Sequence, residues 1–156
     1  MNKAELVKIV HYIIKQGIST IKSNTDEQNS IIDYVAIFSR DEKEFTDLIR
    51  VIETLGKEID KETAKTGRTF LLDTPWKTVA GKLSLIKIRR PDPTRPQRGD
   101  PDFKIQDYQR FKDKYLKSSG NFTLLLRKDY EMIEIKGIDV LVYIPSKTLS
   151  ERLQKT

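Results

Sequence analysis

The sequence predicts an α+β domain: a βαβββ unit occurring twice, joined as one curved mixed sheet with helices on its outer face and an extra helix at the N-terminus. Three observations predict it. The same order of strand-like and helix-like periodicities runs through residues 31–90 and again through residues 102–145. Between them, residues 91–101 hold Pro91, Pro93, Pro96 and Pro101, four of the six prolines in the chain. Proline lacks an amide donor and fixes its own dihedral, so this stretch reads as an extended crossover and not as a helix or an inner strand. Finally, strands of both halves alternate an apolar residue with a polar one at matching places. A lone βαβββ unit leaves one sheet face uncovered, so two copies are expected to close a common core.

The elements follow in order. In residues 3–22, Leu6, Ile9, Val10, Ile13, Ile14 and Ile21 recur at three- and four-residue spacing, which is a helix with one apolar stripe. Residues 23–30 are polar and read as a loop. The branched and aromatic run of residues 31–38 is a strand. Ser39 or Asp41 caps a helix to about Leu55, with Phe45, Leu48, Ile49, Ile52 and Leu55 on its buried face and Gly56 at its stop. Residues 68–72, 78–81 and 82–90 supply two or three strands, with Trp76 in a turn after Pro75, packing over the sheet edge. Beyond the crossover, residues 102–106 alternate as a strand and Asp107 caps a short helix that turns Tyr108, Phe111 and Tyr115 inward. Residues 122–127, 130–136 and 140–144 are three strands split by Lys-Asp and Gly-Ile-Asp turns, and residues 146–156 form a tail with a short helix. The whole chain, residues 1–156, is expected to be a single domain.

Composition narrows the chemistry. With no cysteine, disulfides, thiolate metal sites and cysteine nucleophiles are excluded, and one histidine, His11, excludes a multi-histidine zinc site. His11 sits beside Lys8 and Lys15 on a helix and reads as a surface residue. The net charge of +6 is spread along the chain. Its densest basic stretch, Arg89, Arg90, Arg95 and Arg98, is threaded with Asp92, Asp100 and Asp102, which argues against nucleic acid as a partner. No run approaches the length of a membrane span, and charges break the N-terminal apolar stripe, so neither a membrane nor a signal peptide is expected and a cytoplasmic location is. Arg98-Gly99-Asp100 and the sequon Asn121-Phe122-Thr123 read as chance. Walker, GxGxxG and GxSxG motifs are absent.

Strand alternation marks one sheet face as polar. Val35, Ile37, Ile86, Ile88, Phe103, Ile105, Ile133 and Ile135 pack, while Tyr34, Lys87, Asp102 and Glu134 oppose them. Arg89 lies two positions beyond Lys87, and Arg68 begins a strand after Gly67; with Lys87 they would form a positive mouth for a carboxylate or phosphate. Phe38, Tyr130 and Met132 would complete a part-apolar pocket. The acidic pairs are weaker candidates. Alternation separates Glu131 from Glu134, and loop polarity accounts for Asp100 and Asp102.

The duplicated βαβββ order is similar to the vicinal-oxygen-chelate fold of glyoxalases and ring-cleaving dioxygenases. It resembles most the YecM-like branch of that superfamily, through residues 33–37, 66–69, 83–86 with Arg90-Pro91, and 133–135. The resemblance implies a cupped sheet with metal ligands on the first and last strand of each half, at positions matched here by Tyr34, Lys87, Asp102 and Glu134. Only Glu134 is of the expected type, and a lysine ammonium opposes a divalent cation. The expectation is therefore a degenerate metal site, no cofactor, and a small anionic molecule bound by Tyr34, Arg68, Lys87, Arg89, Asp102 and Glu134, with Lys87 as counter-charge. A first alternative is a divalent-metal isomerase, lyase or dioxygenase-like enzyme using Asp102 and Glu134. A second is a basic module binding nucleic acid or protein through residues 89–98. The chain is compatible with a monomer or a homodimer.

Overall fold

The computed structural model describes residues 1–60 and 65–154, apart from the side chain of Asp60. Among these, eight strands form one mixed sheet: β1 (Ile31–Phe38), β2 (Gly56–Asp60), β3 (Gly67–Thr78), β4 (Gly81–Arg89), β5 (Gly99–Lys104), β6 (Phe122–Leu126), β7 (Glu131–Lys136) and β8 (Leu141–Pro145). The helices are α1 (Lys3–Asn24), α2 (Glu42–Glu53), α3 (Tyr108–Tyr115) and α4 (Leu149–Leu153). Strand order across the sheet is β2-β3-β4-β1-β5-β8-β7-β6. In the first half β1 runs parallel to β4, β4 antiparallel to β3, and β3 antiparallel to β2. The second half has the same pairings: β5 is parallel to β8, β8 antiparallel to β7, and β7 antiparallel to β6. The halves meet where β1 and β5 pair antiparallel at the centre of the sheet.

One sheet face is covered by helices. Leu6, Val10, Ile13 and Ile14 of α1 and Leu48 and Ile52 of α2 pack with Val35, Ile37, Ile86, Ile88, Phe103, Ile133 and Ile135. Each such side chain contributes about 1.5–3 kcal/mol on leaving water. Asn2 caps α1 in a reciprocal box: its side chain accepts the Glu5 amide and the Glu5 carboxylate accepts the Asn2 amide. Asp41 and Asp107 cap α2 and α3 by accepting the Glu44 and Arg110 amides. Gly17 lets α1 rest on β5, since a Cβ there would lie 2.6 Å from Pro101 Cγ and 2.8 Å from Phe103.

Three elements differ from the sequence expectation. After Thr54, the chain enters β2 at Gly56, the expected helix stop. Trp76 lies within β3, opposite Leu83, after a break in register that begins at Leu71; Pro75 occupies that irregular stretch. It packs against the core edge, as expected. The crossover also ends earlier: β5 starts at Gly99, so Asp100 and Pro101 belong to an inner strand. Proline is tolerated there because the β5–β8 ladder is sparse, limited to Asp102 opposite Tyr143 and a bridge between Gly99 and Val140. Arg98-Gly99-Asp100 is accordingly buried in the fold.

Candidate functional site

The other sheet face carries the chemistry. Register fixes two neighbouring rows across the strands, because residues opposite one another share a face. One row runs Thr69, Lys87, Ala36, Asp100 over β3, β4, β1 and β5. The next runs Leu71, Leu85, Tyr34, Asp102, Tyr143, Glu134, Thr123 from β3 to β6. Ala36 is the low point of the first row, with Lys87 and Asp100 on either side of its methyl group. Ala36, Phe38, Met132, Leu141 and Tyr143 form a small apolar cluster on this face, with Tyr34, Leu125 and Tyr130 against it.

Asp100 and Asp102 are the floor's outstanding residues. They lie two apart on β5, on the same face, 3% and 0% exposed. Asp100 Oδ1 and both oxygens of Asp102 accept no hydrogen bond from another side chain or backbone group among the described residues, the two carboxyls lie within reach of one another, and neither aspartate has an ion-pair partner there. Burial pushes Asp100 up to about 7 against the pull of Arg89, Lys87 and Arg95. Burial, and then the charge of Asp100, push Asp102 well above the carboxylate range. The same burial and the two aspartates hold the Tyr34 phenol protonated. Thr69, 1% exposed, adds another buried hydroxyl without a partner beside Lys87. Buried polar groups are ordinarily satisfied, so three such side chains on one face are an unusual concentration.

Cations ring this floor. Lys87, 7% exposed, donates to Thr66 Oγ1 at 2.6 Å. The Arg89 guanidinium stacks over Phe38 at 5.1 Å from the ring centroid. Arg95 reaches in from the crossover, donating a long 3.4 Å bond to the Tyr143 hydroxyl and lying 4.0 Å from Asp92. Arg152 of α4 lies over Tyr130 at 4.0 Å. Tyr143 in turn donates to Glu134 Oε2 at 3.1 Å.

The structure brings together Tyr34, Lys87, Arg89 and Asp102. Arg68 is excluded, a correction to the positive mouth expected from sequence. It sits opposite Ile88, a core residue, and so projects to the helix side, where it donates to Glu58 at 3.0 Å and to Glu53 at 3.3 Å. Glu134 shares the face but belongs to β7, the third strand of its half; on the last strand, β8, the residue beside Asp102 is Tyr143. Asp102 and Glu134 are two strands apart, roughly 10 Å at normal strand spacing, with the Tyr143 ring between them. The Tyr143 hydroxyl donates to Glu134, and an ammonium stands at the Lys87 position. An ammonium in that row opposes a divalent metal held by Asp102 and Glu134, and no group of three or more His, Cys, Asp or Glu among the described residues is placed to hold one. From sequence, Asp100 reads as loop polarity and Arg95 only as part of the basic stretch, while Tyr143 and Thr69 are missed. Alternation would have found Asp100 had residues 99–101 been read as strand.

His11 lies away from this face. It is exposed and lines a 450 Å³ groove with Ile14, Lys15, Lys77, Thr78 and Val79, none of them a buried unpartnered group. No helix of the described residues is long and apolar enough to cross a membrane.

Comparison of the chain with protein-family models and with curated proteins finds no match. A solved structure named "Structural Genomics, Protein EC4020" is similar, with a TM-score of 0.73 at 10% identity, over 96% of this chain and 90% of that one. At that identity the likeness concerns the fold alone.

Proposed function

We propose that this protein binds a small anionic ligand on the concave sheet face, as a vicinal-oxygen-chelate-like protein of YecM-like type whose metal position is degenerate. The observation that carries this is the arrangement around β5: buried, unpartnered carboxyls of Asp100 and Asp102 beneath the cations Lys87, Arg89, Arg95 and Arg152. Leaving buried acids unpaired lowers stability, and a fold that keeps them next to arginines has polar groups ready for a ligand. Arg89 and Arg95 supply planar donors for a carboxylate or phosphate, and the tyrosines and Met132 supply apolar walls. The matching strand pairings of the two halves support the superfamily assignment. Lys87 stands where a metal ligand would, so the chemistry assigned to these residues is recognition.

Thermal unfolding with phosphate, acetate, succinate and citrate tests it. A ligand at a hundred times its Kd adds about 2.7 kcal/mol, so Tm should rise with concentration for at least one anion beyond the effect of equal ionic strength from chloride. Arg89→Gln should remove that rise while leaving the unliganded Tm within a few degrees. Equal Tm in all salts, or a rise that survives Arg89→Gln combined with Arg95→Gln, overturns the site.

A further inference from the structure

We propose that the open edge of β6 pairs antiparallel with the same edge of a second copy of this chain, giving a two-fold dimer with one continuous sheet. The inference goes beyond the anion site and does not depend on it. The sheet ends in β2 on one side and β6 on the other, and the two ends are built differently. In β2, Lys57 and Glu58 put charges on the edge, and the ladder slips between Glu58 and Asp60. Charges and irregular register keep an edge from pairing with another chain. β6 has neither. Its residues, Phe122-Thr123-Leu124-Leu125-Leu126, include no charge and no proline, and it pairs with β7 in unbroken register. Leu126 at its end is 71% exposed.

The hydrogen-bond phase of β6 decides what can pair with it. The Asn121 carbonyl accepts the Lys136 amide at 3.1 Å, and the Arg127 amide donates to the Tyr130 carbonyl at 2.9 Å, so Asn121 and Arg127 turn their backbone groups to β7. These directions alternate along an antiparallel strand, which leaves the amides and carbonyls of Phe122, Leu124 and Leu126 directed outward. The Leu126 carbonyl accepts at 3.2 Å from the guanidinium of the adjacent Arg127, a surface contact that an incoming strand can replace. A two-fold axis at Leu124 matches outward groups with outward groups. Leu124 then faces Leu124 of the second copy, Phe122 faces its Leu126, and each such pair exchanges two backbone hydrogen bonds. This is the register that pairs β6 along its whole length. The side chains agree with it. Phe122 and Leu124 lie on the core side, opposite Ile135 and Ile133, so Leu126 meets Phe122 of the second copy there, while Thr123 meets Leu125 on the concave side. No like charges come together. Arg127 falls opposite Asn121, and the two Arg127 residues stand roughly 20 Å apart at about 3.4 Å per residue, where salt screens their repulsion. Identical patches on a two-fold axis close the assembly, and the guarded β2 edge stops it at two copies.

A short strand on each side makes a small interface, so the dimer is expected to dissociate in the micromolar range. Sedimentation equilibrium of the whole protein, from about 5 to about 500 μM at physiological salt, tests it. The average mass should rise with concentration from 18.2 kDa toward twice that value. Thr123→Lys and Leu126→Lys, both at exposed positions, place an ammonium on the edge. Each should weaken association at least tenfold while the Tm of the dilute protein stays within a few degrees of the parent. The chain has no cysteine, so Arg127→Cys carries a single nitroxide label. Pulsed electron paramagnetic resonance should then find the two labels of the dimer about 20–30 Å apart. A mass that stays at 18.2 kDa throughout overturns the proposal. So does association that either lysine variant leaves unchanged, or a label separation beyond about 40 Å, which places the contact on another surface.

Discussion

Two buried charge clusters lie within five residues of one another, and they are built in opposite ways. Arg98, at the entry to β5, is 7% exposed, yet both terminal nitrogens of its guanidinium are answered: they donate to Glu44 at 2.7 and 3.1 Å and to the Phe38 carbonyl at 3.0 Å. Glu44 in turn accepts the Arg40 amide. Burial alone would raise the Glu44 carboxyl, but the hydrogen bonds from Arg98 and Arg40 more than reverse it and hold it below the usual range. Asp100 and Asp102, on the same strand, are buried without such partners. The first cluster fastens the crossover to α2. The second weakens the fold and leaves hydrogen-bonding capacity unused, which is the mark of a site and not of a strut.

The largest effect should come from breaking the paired cluster. Arg98→Met leaves Glu44 half-buried beside an apolar chain, with a loss of about 3 kcal/mol in urea unfolding at pH 7. The Glu44 contribution is present above the ordinary glutamate pKa and is lost as pH falls through its lowered folded value, so the deficit of the variant should shrink in acid.

Neutralising the unpaired cluster should act the other way. Asp102→Asn replaces a buried acid that must take up a proton on folding and should stabilise the protein by about 1–3 kcal/mol at pH 8. The sign follows from linkage. Both aspartates have folded pKa values above their unfolded ones, so the folded state holds extra protons and stability falls as pH rises from about 4, through about 7 for Asp100 and further for Asp102. The gain from Asp102→Asn should therefore fade toward pH 4, as measured by urea unfolding at each pH. A variant that destabilises at pH 8 would show the acids to be paired after all.

The smallest effect sharpens the division between the two faces. Arg68→Ala removes exposed ion pairs to Glu53 and Glu58 and should change stability by under about 1 kcal/mol. Because Arg68 projects to the helix side, anion-induced shifts in Tm should stay as in the parent protein. Loss of those shifts would return Arg68 to the site.

Much of the architecture was legible as pattern. The helical stripe of residues 3–22, the caps at Asp41 and Asp107, and the strands around Tyr34, Lys87 and Glu134 all follow from period and capping chemistry, which are local. Alternation also assigned Tyr34, Lys87, Arg89, Asp102 and Glu134 to one face correctly, since side-chain direction along a strand has period two. It failed for Asp100 because Pro101 reads as a strand breaker, and only the thin β5–β8 ladder makes that proline acceptable. It failed for Arg68 because a β3 register is needed to know that Arg68 stands opposite Ile88.

By itself, then, the chain determined its elements and which residues of each share a side, because periodicity, caps and turn residues act over a few positions. Only the tertiary structure decided which strands are neighbours. Strand order puts Tyr143, not Glu134, next to Asp102, brings Arg95 from the crossover onto the same floor, and seals Asp100 and Asp102 from water without giving them partners. Pairing between distant segments and the burial it imposes are properties of the assembled sheet, and the strength of these charges is set there.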